Sequence, residues 1–335
     1  MVTIKDIAKR CNVSPSTVSK VIKNYPTIPE ETKERVLKAI QEMNYVPNAA
    51  ASALSSGDYR NIGILGFLND KQSPFSHPLF AQILASFQKQ MSKKGYDLCF
   101  IDKNVRGKPG SFLQNCEYRN VSGVLLFGNL YDAQMMEVIN SNIPSIGFDY
   151  EGEEIDSVYT NGKKALIKLT EYLIENGHKN IVFVAGDYNS ITKFRMDGFR
   201  TAMKKNGLTI KSNSIYNISY GDAEGAKQIT EVVLKEHPDV TAILYPDDIC
   251  ALAGMSKLKD LNIQVPEQIS VAGFDGHQFS QLLYKPLCTM KQDTYQIGIA
   301  LANTLIDIIK NPTNERRIVE FDAELIKGQT VAKVN

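Results

Sequence analysis

Five aspartates follow apolar segments that we predict to be β-strands, and carboxylates in such positions are suited to binding a polar small molecule. They are Asp149, Asp187, Asp247, Asp248 and Asp275. Ligands of open α/β sheets bind beyond the carboxyl ends of the strands, so these residues are candidates for a binding site. The alternative for Asp187, Asp247, Asp248 and Asp275 is a turn or a helix cap, since aspartate favours both. For Asp248 we favour that alternative.

The N-terminal segment combines hydroxyl and basic side chains. Basic residues outnumber acidic ones five to one in residues 1–24, although the net charge of the whole chain is only +1. Ser16, Thr17 and Lys20 stand near the start of a predicted helix, and side chains there can reach base edges in a DNA groove. Many solvated faces are also basic, so charge alone indicates phosphate binding only weakly.

The segments that position the aspartates alternate between strand and helix patterns. Apolar runs typical of strands occupy residues 62–67, 96–101, 123–127, 144–148, 180–185, 242–245 and 269–274. Helical segments between them predict parallel sheets with right-handed crossovers. The total is too long for one such sheet, so we expect two α/β subdomains.

Residues 3–45 are predicted to form three short helices. Thr3 to Asp6 has the pattern of a capping box, and Ser14-Pro15 places an N-cap serine before a helix-starting proline. The first two helices match a helix-turn-helix, with a generic helical cap as the alternative. A third helix opens at Pro29. Its residues expected to face inward are Val36, Leu37, Ile40 and Met43.

Residues 47–60 form a segment of small residues that ends near Gly57. It is too apolar for a plain linker and too short to be stable as an isolated helix. The segment is therefore expected to be helical only when something holds it, and an interdomain linker is the alternative.

Composition excludes several classes of protein. The chain has 335 residues, of which 43% are hydrophobic and 22% charged, as in an ordinary globular protein of two or three domains. No apolar run approaches the roughly 20 residues that span a bilayer, and no secretory signal is visible. The five cysteines form no CxxC pair, which argues against a disulfide framework and a cysteine zinc site. We predict a cytoplasmic location.

Enzyme motifs are absent from the sequence. There is no GxxxxGK[ST] loop, GxSxG elbow or HExxH motif. The adjacent Asp247 and Asp248 invite a comparison with glycosidases, but neighbouring residues rarely place two carboxyls across a scissile bond. We therefore expect that the protein is not an enzyme and that it binds no cofactor and no metal.

Motifs along the whole chain resemble the LacI/GalR family of bacterial transcriptional regulators. The N-terminal motifs are Thr3-Ile4-Lys5-Asp6-Ile7-Ala8, Val13-Ser14-Pro15-Ser16-Thr17-Val18-Ser19-Lys20-Val21-Ile22, and Tyr45-Val46-Pro47-Asn48 with Ala51 and Leu54. The motifs of the body lie at residues 121–125, 143–149, 177–181 and 265–275, with Arg195 and Gly198-Phe199 between them. They occur in the order typical of the family.

The resemblance implies an α/β protein with an N-terminal, all-α helix-turn-helix domain and a core like that of periplasmic binding proteins. The expected DNA-binding domain spans residues 1–46, a hinge helix and linker span 47–60, and the effector-binding and dimerisation core spans 61–335. Within that core, parallel sheets flanked by helices are expected in an N-subdomain of about 61–160 plus 291–322 and a C-subdomain of about 162–290.

The resemblance also implies which residues contact operator DNA. These are Thr3, Ser14, Pro15, Ser16, Thr17, Lys20, Asn24, Tyr45, Asn48, Ala51 and Leu54. The family usually has arginine at Lys20, so a base contact and a phosphate contact are both open for this lysine. The family leucine that matches Leu54 wedges into the minor groove, whereas Leu54 as an ordinary linker residue is the alternative.

A small effector is expected in the cleft between the two subdomains. The implied binding residues are His77, Phe80, Asp149, Arg195, Tyr220, Asp247, Asp275 and Gln292. Three carboxylates and an arginine suit a neutral sugar better than a purine or a phosphorylated ligand. His77 as a loop residue, and Phe80 and Tyr220 as core aromatics, are the alternatives.

Together these features predict a repressor that binds a pseudo-palindromic operator as a homodimer under control of a small sugar. The C-terminus shows no leucine heptads, which favours a dimer over a tetramer. No membrane partner is expected. A purine-responsive, corepressed regulator is one alternative, and a solute-binding receptor is another. The N-terminal helix-turn-helix and the absence of a signal segment argue against the receptor.

Overall fold

The computed structural model describes most of the chain. The described residues are 2–46, 53, 57–67, 75, 77–128, 132–150, 155–211, 213–313 and 315–334. The chain divides into two compact units, Met1–Arg60 and Asn61–Asn335.

The first unit contains three helices in its described part, α1 (Ile4–Arg10), α2 (Pro15–Ile22) and α3 (Glu30–Glu42). The capping box is confirmed, because Asp6 N donates to Thr3 Oγ1 and Thr3 N donates to Asp6 Oδ2. The N-cap of α2 is also confirmed, since Thr17 N donates to Ser14 Oγ at 3.1 Å. Both helix starts are therefore fixed by side chains close to them in sequence.

One side of each of the three helices packs into a small apolar core. Val18 and Val36 are fully buried there, together with Ile7. The expectation that Leu37 faces inward is wrong, because its side chain is 52% exposed. Adjacent positions on a helix point about 100° apart, so the side of α3 that buries Val36 and Ala39 turns Leu37 outward.

The second unit contains two large sheets. Within the described residues, the first sheet has six strands in the order β13-β7-β6-β5-β1-β2. These strands are β1 (Asn61–Phe67), β2 (Asp97–Phe100), β5 (Val121–Gly128), β6 (Ser145–Phe148), β7 (Asp156–Thr160) and β13 (Ile318–Phe321). All its neighbouring strands are parallel. A short hairpin of β3 (Asn104–Val105) and β4 (Lys108–Pro109) lies apart from it.

The second sheet also has six described strands, in the order β14-β12-β11-β10-β8-β9. They are β8 (Ile181–Ala185), β9 (Ile215–Asn217), β10 (Ala242–Leu244), β11 (Ser270–Asp275), β12 (Cys288–Lys291) and β14 (Glu324–Ile326). Only β14 runs antiparallel to its neighbour here. The chain thus returns to the second sheet after β13, in residues that the expected subdomain bounds left unassigned.

Helices cover the sheets of this unit. In the described chain they are α4 (Pro78–Lys93), α5 (Phe112–Tyr118), α6 (Ala133–Ile139), α7 (Gly162–Glu175), α8 (Ser190–Lys205), α9 (Ala223–Glu236), α10 (Asp248–Asp260), α11 (Gln278–Gln281) and α12 (Thr294–Lys310). Apolar faces of α4 and α12 pack on the first sheet, and those of α7 and α8 pack on the second. No described helix is long and apolar enough to cross a membrane.

The predicted α/β architecture is confirmed, and each of the seven predicted apolar runs contains a strand. The remaining described strands, which are β3, β4, β7, β9, β12, β13 and β14, were not predicted from the sequence. Short strands such as β13, which has alternating exposed and half-buried residues at the sheet edge, lack the continuous apolar pattern on which the prediction depended.

Candidate effector site

Polar side chains gather at the carboxyl ends of the strands in both sheets of the second unit. Asp149 follows β6, Asp247 follows β10, Asp275 ends β11 and Gln292 follows β12. The eight residues predicted to bind the effector form one connected cluster, through hydrogen bonds, ring contacts and electrostatic interactions. The sequence prediction that these residues lie together is therefore correct, whereas their contact with an effector remains a prediction.

Arg195 lies near the middle of this cluster, on the inner side of α8. Its guanidinium carbon is 3.6 Å from the centre of the Phe274 ring and 5.6 Å from that of Tyr220. Nη1 donates to the carbonyl oxygen of Pro246 at 2.9 Å, while the buried Nε has no partner. Burial acts to lower the pKa of Arg195, but the combined effect of Tyr220, Asp149, Asp275 and Asp247 outweighs it and the pKa is raised. Arg195 thus offers a fixed cationic plane with one spare donor.

Two glycines allow α7 and α8 to approach each other closely and so position Arg195. A Cβ at Gly198 would overlap the backbone oxygen of Lys163, and one at Gly162 would lie 3.0 Å from Cγ of Arg195. Larger residues at either position would push the helices apart. The sequence signal for this contact is Gly198, which the family motif already contains.

Asp275 connects strands of both sheets. Its Oδ1 accepts a hydrogen bond from Gln292 Nε2 at 2.8 Å, and Gln292 Oε1 accepts one from Thr160 Oγ1 at 2.6 Å. Asp275 has a φ of 97°, in the left-handed region that non-glycine residues seldom adopt. Backbone strain of this kind is common at functional sites because the surrounding structure must hold it.

Asp149 also has a left-handed backbone, with a φ of 61°. Its N–H donates to the oxygen of Val158 at 2.9 Å, which fixes the turn. Burial raises the pKa of this carboxyl to about 6, even though Arg195 acts to lower it. The Asp149 carboxyl therefore changes its protonation state near pH 6.

The adjacent Asp247 and Asp248 are both fully buried and both bonded to the chain. Asp247 caps α10 by accepting from Cys250 N, and its other oxygen accepts from Gly221 N, each at 2.7 Å. Asp248 accepts from His277 N, Ser280 Oγ and Thr289 Oγ1. These contacts match the structural role that we favoured for Asp248. For Asp247, the structure shows a cap, and ligand contact stays a prediction.

Aromatic residues border the cluster. The Phe80 ring packs edge-on against Phe127 and Phe148, with centroids 5.3 and 6.0 Å apart. The loop that carries Tyr220 is held by Asp187, whose oxygens accept from Ser219 Oγ and Tyr220 N. A Cβ at Gly186 would overlap the Tyr220 ring, so glycine is needed there. Asp187 thus has a structural role, which agrees with the turn or cap alternative for this residue.

His277 is a residue of this cluster that sequence reasoning missed. It follows Gly276, whose φ of 70° turns the chain back beneath β11. Its Nε2 lies 3.5 Å from Oδ2 of Asp275, and His77 Nε2 lies 3.9 Å from the same oxygen. Asp275-Gly276-His277 was the available signal, because a glycine turn after a strand can return the next side chain to the strand's end.

The residues predicted to contact DNA lie in the first unit. Thr3 and Ser14 are helix caps, and the exposed Pro15, Ser16 and Lys20 lie on α2. Thr17 is half-buried, with its Oγ1 2.9 Å from Ser14 Oγ. Asn24, with a φ of 53°, follows α2, and Tyr45 packs against the unit's apolar core. Asn48, Ala51 and Leu54 lie outside the described residues.

Two family models match the chain. Residues 3–48 match the model described as bacterial regulatory proteins, lacI family, and residues 170–331 match a periplasmic binding protein-like domain. The first match covers the three N-terminal helices, and the second covers all six described strands of the second sheet.

Curated proteins match over the whole chain. The HTH-type transcriptional repressor PurR of Aliivibrio salmonicida (strain LFI1238) is 31% identical over 342 residues, which spans 100% of both chains. The repressor of the same name from Aliivibrio fischeri (strain ATCC 700601 / ES114) is 30% identical over 340 residues, or 99% of each chain.

Solved structures share the fold. A Lac repressor dimer bound to operator and the anti-inducer ONPF matches with a TM-score of 0.84, at 23% identity over 99% of each chain. A complex of the regulator CelR with cellobiose matches with a TM-score of 0.71, at 22% identity, and covers 98% of this chain and 100% of the other.

The fold and the curated relatives agree on the type of protein. The three capped helices match the DNA-binding family model, and the full-length relatives are transcriptional repressors rather than enzymes. This agreement extends over the whole sequence, so it does not depend on one motif. The chain therefore belongs to the lacI family of bacterial regulatory proteins.

Proposed function

We propose that this repressor binds a pseudo-palindromic operator as a homodimer, and that a small neutral sugar in the cluster of Arg195 controls it. The observation that carries DNA binding is α2, a helix capped by Ser14 with Ser16 and Lys20 exposed near its start. Residues at the start of such a helix can contact base edges in the major groove.

The sugar proposal depends on the buried carboxylates. Asp149 and Asp275 lie beside the Arg195 guanidinium and can accept hydrogen bonds from hydroxyl groups. A phosphorylated ligand would meet repulsion from both carboxylates, whereas a neutral polyol would not. Solved relatives of the fold include the CelR–cellobiose complex and an Enterococcus faecium regulator with bound ribose, which at 22% and 19% identity indicate only that the fold accommodates sugars.

A purine is the second candidate effector. The curated relatives carry the name PurR, and the half-buried ring of Tyr220, 5.6 Å from the Arg195 guanidinium, has a flat surface suited to a planar base. The carboxylate of Asp275 could then accept from ring or amino N–H groups. A sugar and a purine would therefore contact the same cluster through different groups, so the binding of the two ligand classes can be compared directly.

Salt dependence tests the DNA-binding proposal. Because lysine and arginine contacts to phosphates release counterions, we expect operator affinity to fall at least about a hundredfold between 50 and 200 mM salt. A gel-shift titration at several salt concentrations, on an operator selected from random palindromes, measures this slope. Binding that is independent of salt and sequence would contradict an operator-specific repressor.

A thermal-shift screen tests the effector. A ligand present at about 100 times its dissociation constant should add about 2.7 kcal/mol of stability to the folded protein. We expect a shift with neutral sugars and none with sugar phosphates. A shift with purines alone would replace the sugar proposal by the purine one, and either kind of hit should also change operator affinity.

A further inference from the structure

The two histidines of the cluster differ from the other two in the chain. His178 has ring contacts of 3.0 Å to Thr241 Oγ1 and to the oxygen of Ala332, and His237 Nε2 lies 2.8 Å from the oxygen of Asn213. In contrast, the buried Nε2 atoms of His77 and His277 have no hydrogen-bond partner. A buried polar atom without a partner is costly, so two of them side by side require an explanation.

Both unpartnered nitrogens face the same carboxylate oxygen. Asp275 Oδ2 lies 3.5 Å from His277 Nε2 and 3.9 Å from His77 Nε2. These separations are too long for good hydrogen bonds. They are close to the spacing of about 3.4 Å between two ligand atoms that share a tetrahedral ion with bonds of about 2.1 Å. One ligand atom from each of the three residues lies within 4.8 Å of the other two.

We propose that His77, Asp275 and His277 bind a divalent transition-metal ion of the Zn²⁺ type. Two imidazoles and one carboxylate are a ligand set suited to such an ion, whereas Mg²⁺ and Ca²⁺ prefer oxygen ligands alone. Three protein ligands leave a coordination position for water or for a donor atom of a small molecule.

Outer contacts orient the carboxylate for this role. Gln292 Nε2 donates to Asp275 Oδ1, which leaves Oδ2 directed at the histidines. Gln292 is itself held by Thr160 Oγ1. Hydrogen bonds from neighbouring residues to the ligating side chains commonly orient metal ligands and adjust the affinity for the ion.

Both histidines can offer Nε2 to an ion without losing a strong hydrogen bond. Nε2 of His277 is buried and has no hydrogen-bond partner, so no existing bond has to be broken there. For His77, metal on Nε2 requires the proton to stand on Nδ1, and this ends the contact in which Leu79 N donates to Nδ1. That contact is 3.4 Å long, so little is lost with it.

The ligands come from both layers of the unit. His77 precedes α4, which packs on the first sheet, whereas Asp275 ends β11 of the second sheet and His277 follows it. A bound ion would therefore join the two halves of the core. The metal proposal does not depend on the identity of the organic effector, since the three ligands are all provided by the chain.

Metal titration of the untagged full chain, after removal of ions with a chelator, tests the proposal. Calorimetry with Zn²⁺ should give one ion per chain, and Co²⁺ should give visible absorption bands that Zn²⁺ abolishes. His77→Gln and His277→Gln should each weaken Zn²⁺ affinity at least about tenfold. Asp275→Asn should do the same, and circular dichroism checks that each variant is folded.

Matched controls separate this site from other ligands. His237→Gln removes a histidine outside the cluster and should leave Zn²⁺ affinity unchanged. Cys99→Ser should also leave Zn²⁺ affinity unchanged. This variant tests whether Zn²⁺ binds instead to Cys99, the described cysteine that is only half-buried. Failure of the wild type to bind Zn²⁺ stoichiometrically, or unchanged binding in both cluster histidine variants, would overturn the proposal. Operator binding is measured separately, so either result leaves the repressor assignment intact.

Discussion

At the scale of single residues, the buried Asp149 carries an electrostatic cost. Its carboxyl is buried, its backbone is left-handed, and burial raises its pKa from 3.8 to about 6. The folded protein therefore binds a proton at this residue more tightly than the unfolded chain does. Stability from this residue is present at low pH and falls as the pH rises from about 4 to above 6, where the folded carboxyl ionises.

We predict that Asp149→Asn removes this loss of stability. Asparagine tolerates the left-handed backbone and carries no charge. At pH 7 the variant should be more stable than the wild type by up to about 3 kcal/mol, from a pKa shift of about two units, and at pH 4 the two should be similar. Urea unfolding at both pH values measures the difference. Asp260→Asn, at an exposed position, is the control, and a pH dependence unaffected by Asp149→Asn would contradict the prediction.

At the scale of elements, two serines at the start of α2 are expected to have different roles, one in helix stability and the other in operator binding. Ser14 caps the helix through Thr17 N, whereas Ser16 is exposed on its first turn. Loss of an N-cap costs about 1 kcal/mol, so Ser14→Ala should increase the opening of residues 15–22 about fivefold. Ser16→Ala should weaken operator binding without this effect. Amide hydrogen exchange and gel shifts measure the two quantities, and faster exchange in both variants would argue against separate roles.

The segment that follows the DNA-binding helices provides a second prediction at this scale. The family resemblance predicts that Leu54, which lies outside the described residues, wedges into the minor groove at the operator centre. Leu54→Ala should weaken specific operator binding and leave effector affinity in the core unchanged. A gel-shift titration combined with an effector titration measures both. Unaltered operator affinity would remove Leu54 from the mechanism and favour the linker alternative.

At the scale of the whole molecule, we predict that Arg195 connects ligand binding to the response of the repressor. Lysine in its place would lack the flat surface that stacks on Phe274 and could not reproduce the fork of donors. Arg195→Lys should weaken effector binding at least about tenfold, while operator affinity without effector changes little, because coupling requires the ligand. Arg200→Lys, at an exposed position of the same helix, is the control. Loss of operator binding in Arg195→Lys alone would indicate a structural role.

The sequence by itself determined the helix starts and the general architecture. The caps of α1 and α2, the seven apolar strands and the aspartates at strand ends depend on residues close together in the chain, so their types and spacing carry the information. Family motifs added Arg195 and Asp275 as candidate site residues. Leu37 was assigned wrongly because apolar character alone does not specify which side of a helix is buried.

Only the tertiary structure decided how the cluster is connected. The stacking of Arg195 on Phe274, and the approach of His77 to Asp275 and His277, join segments far apart in sequence. Likewise, the hydrogen bond from Gly221 N to Asp247 Oδ2 depends on a loop that follows another strand. Local sequence patterns do not predict such contacts, because the free energy that stabilises them comes from the packing of whole sheets and helices.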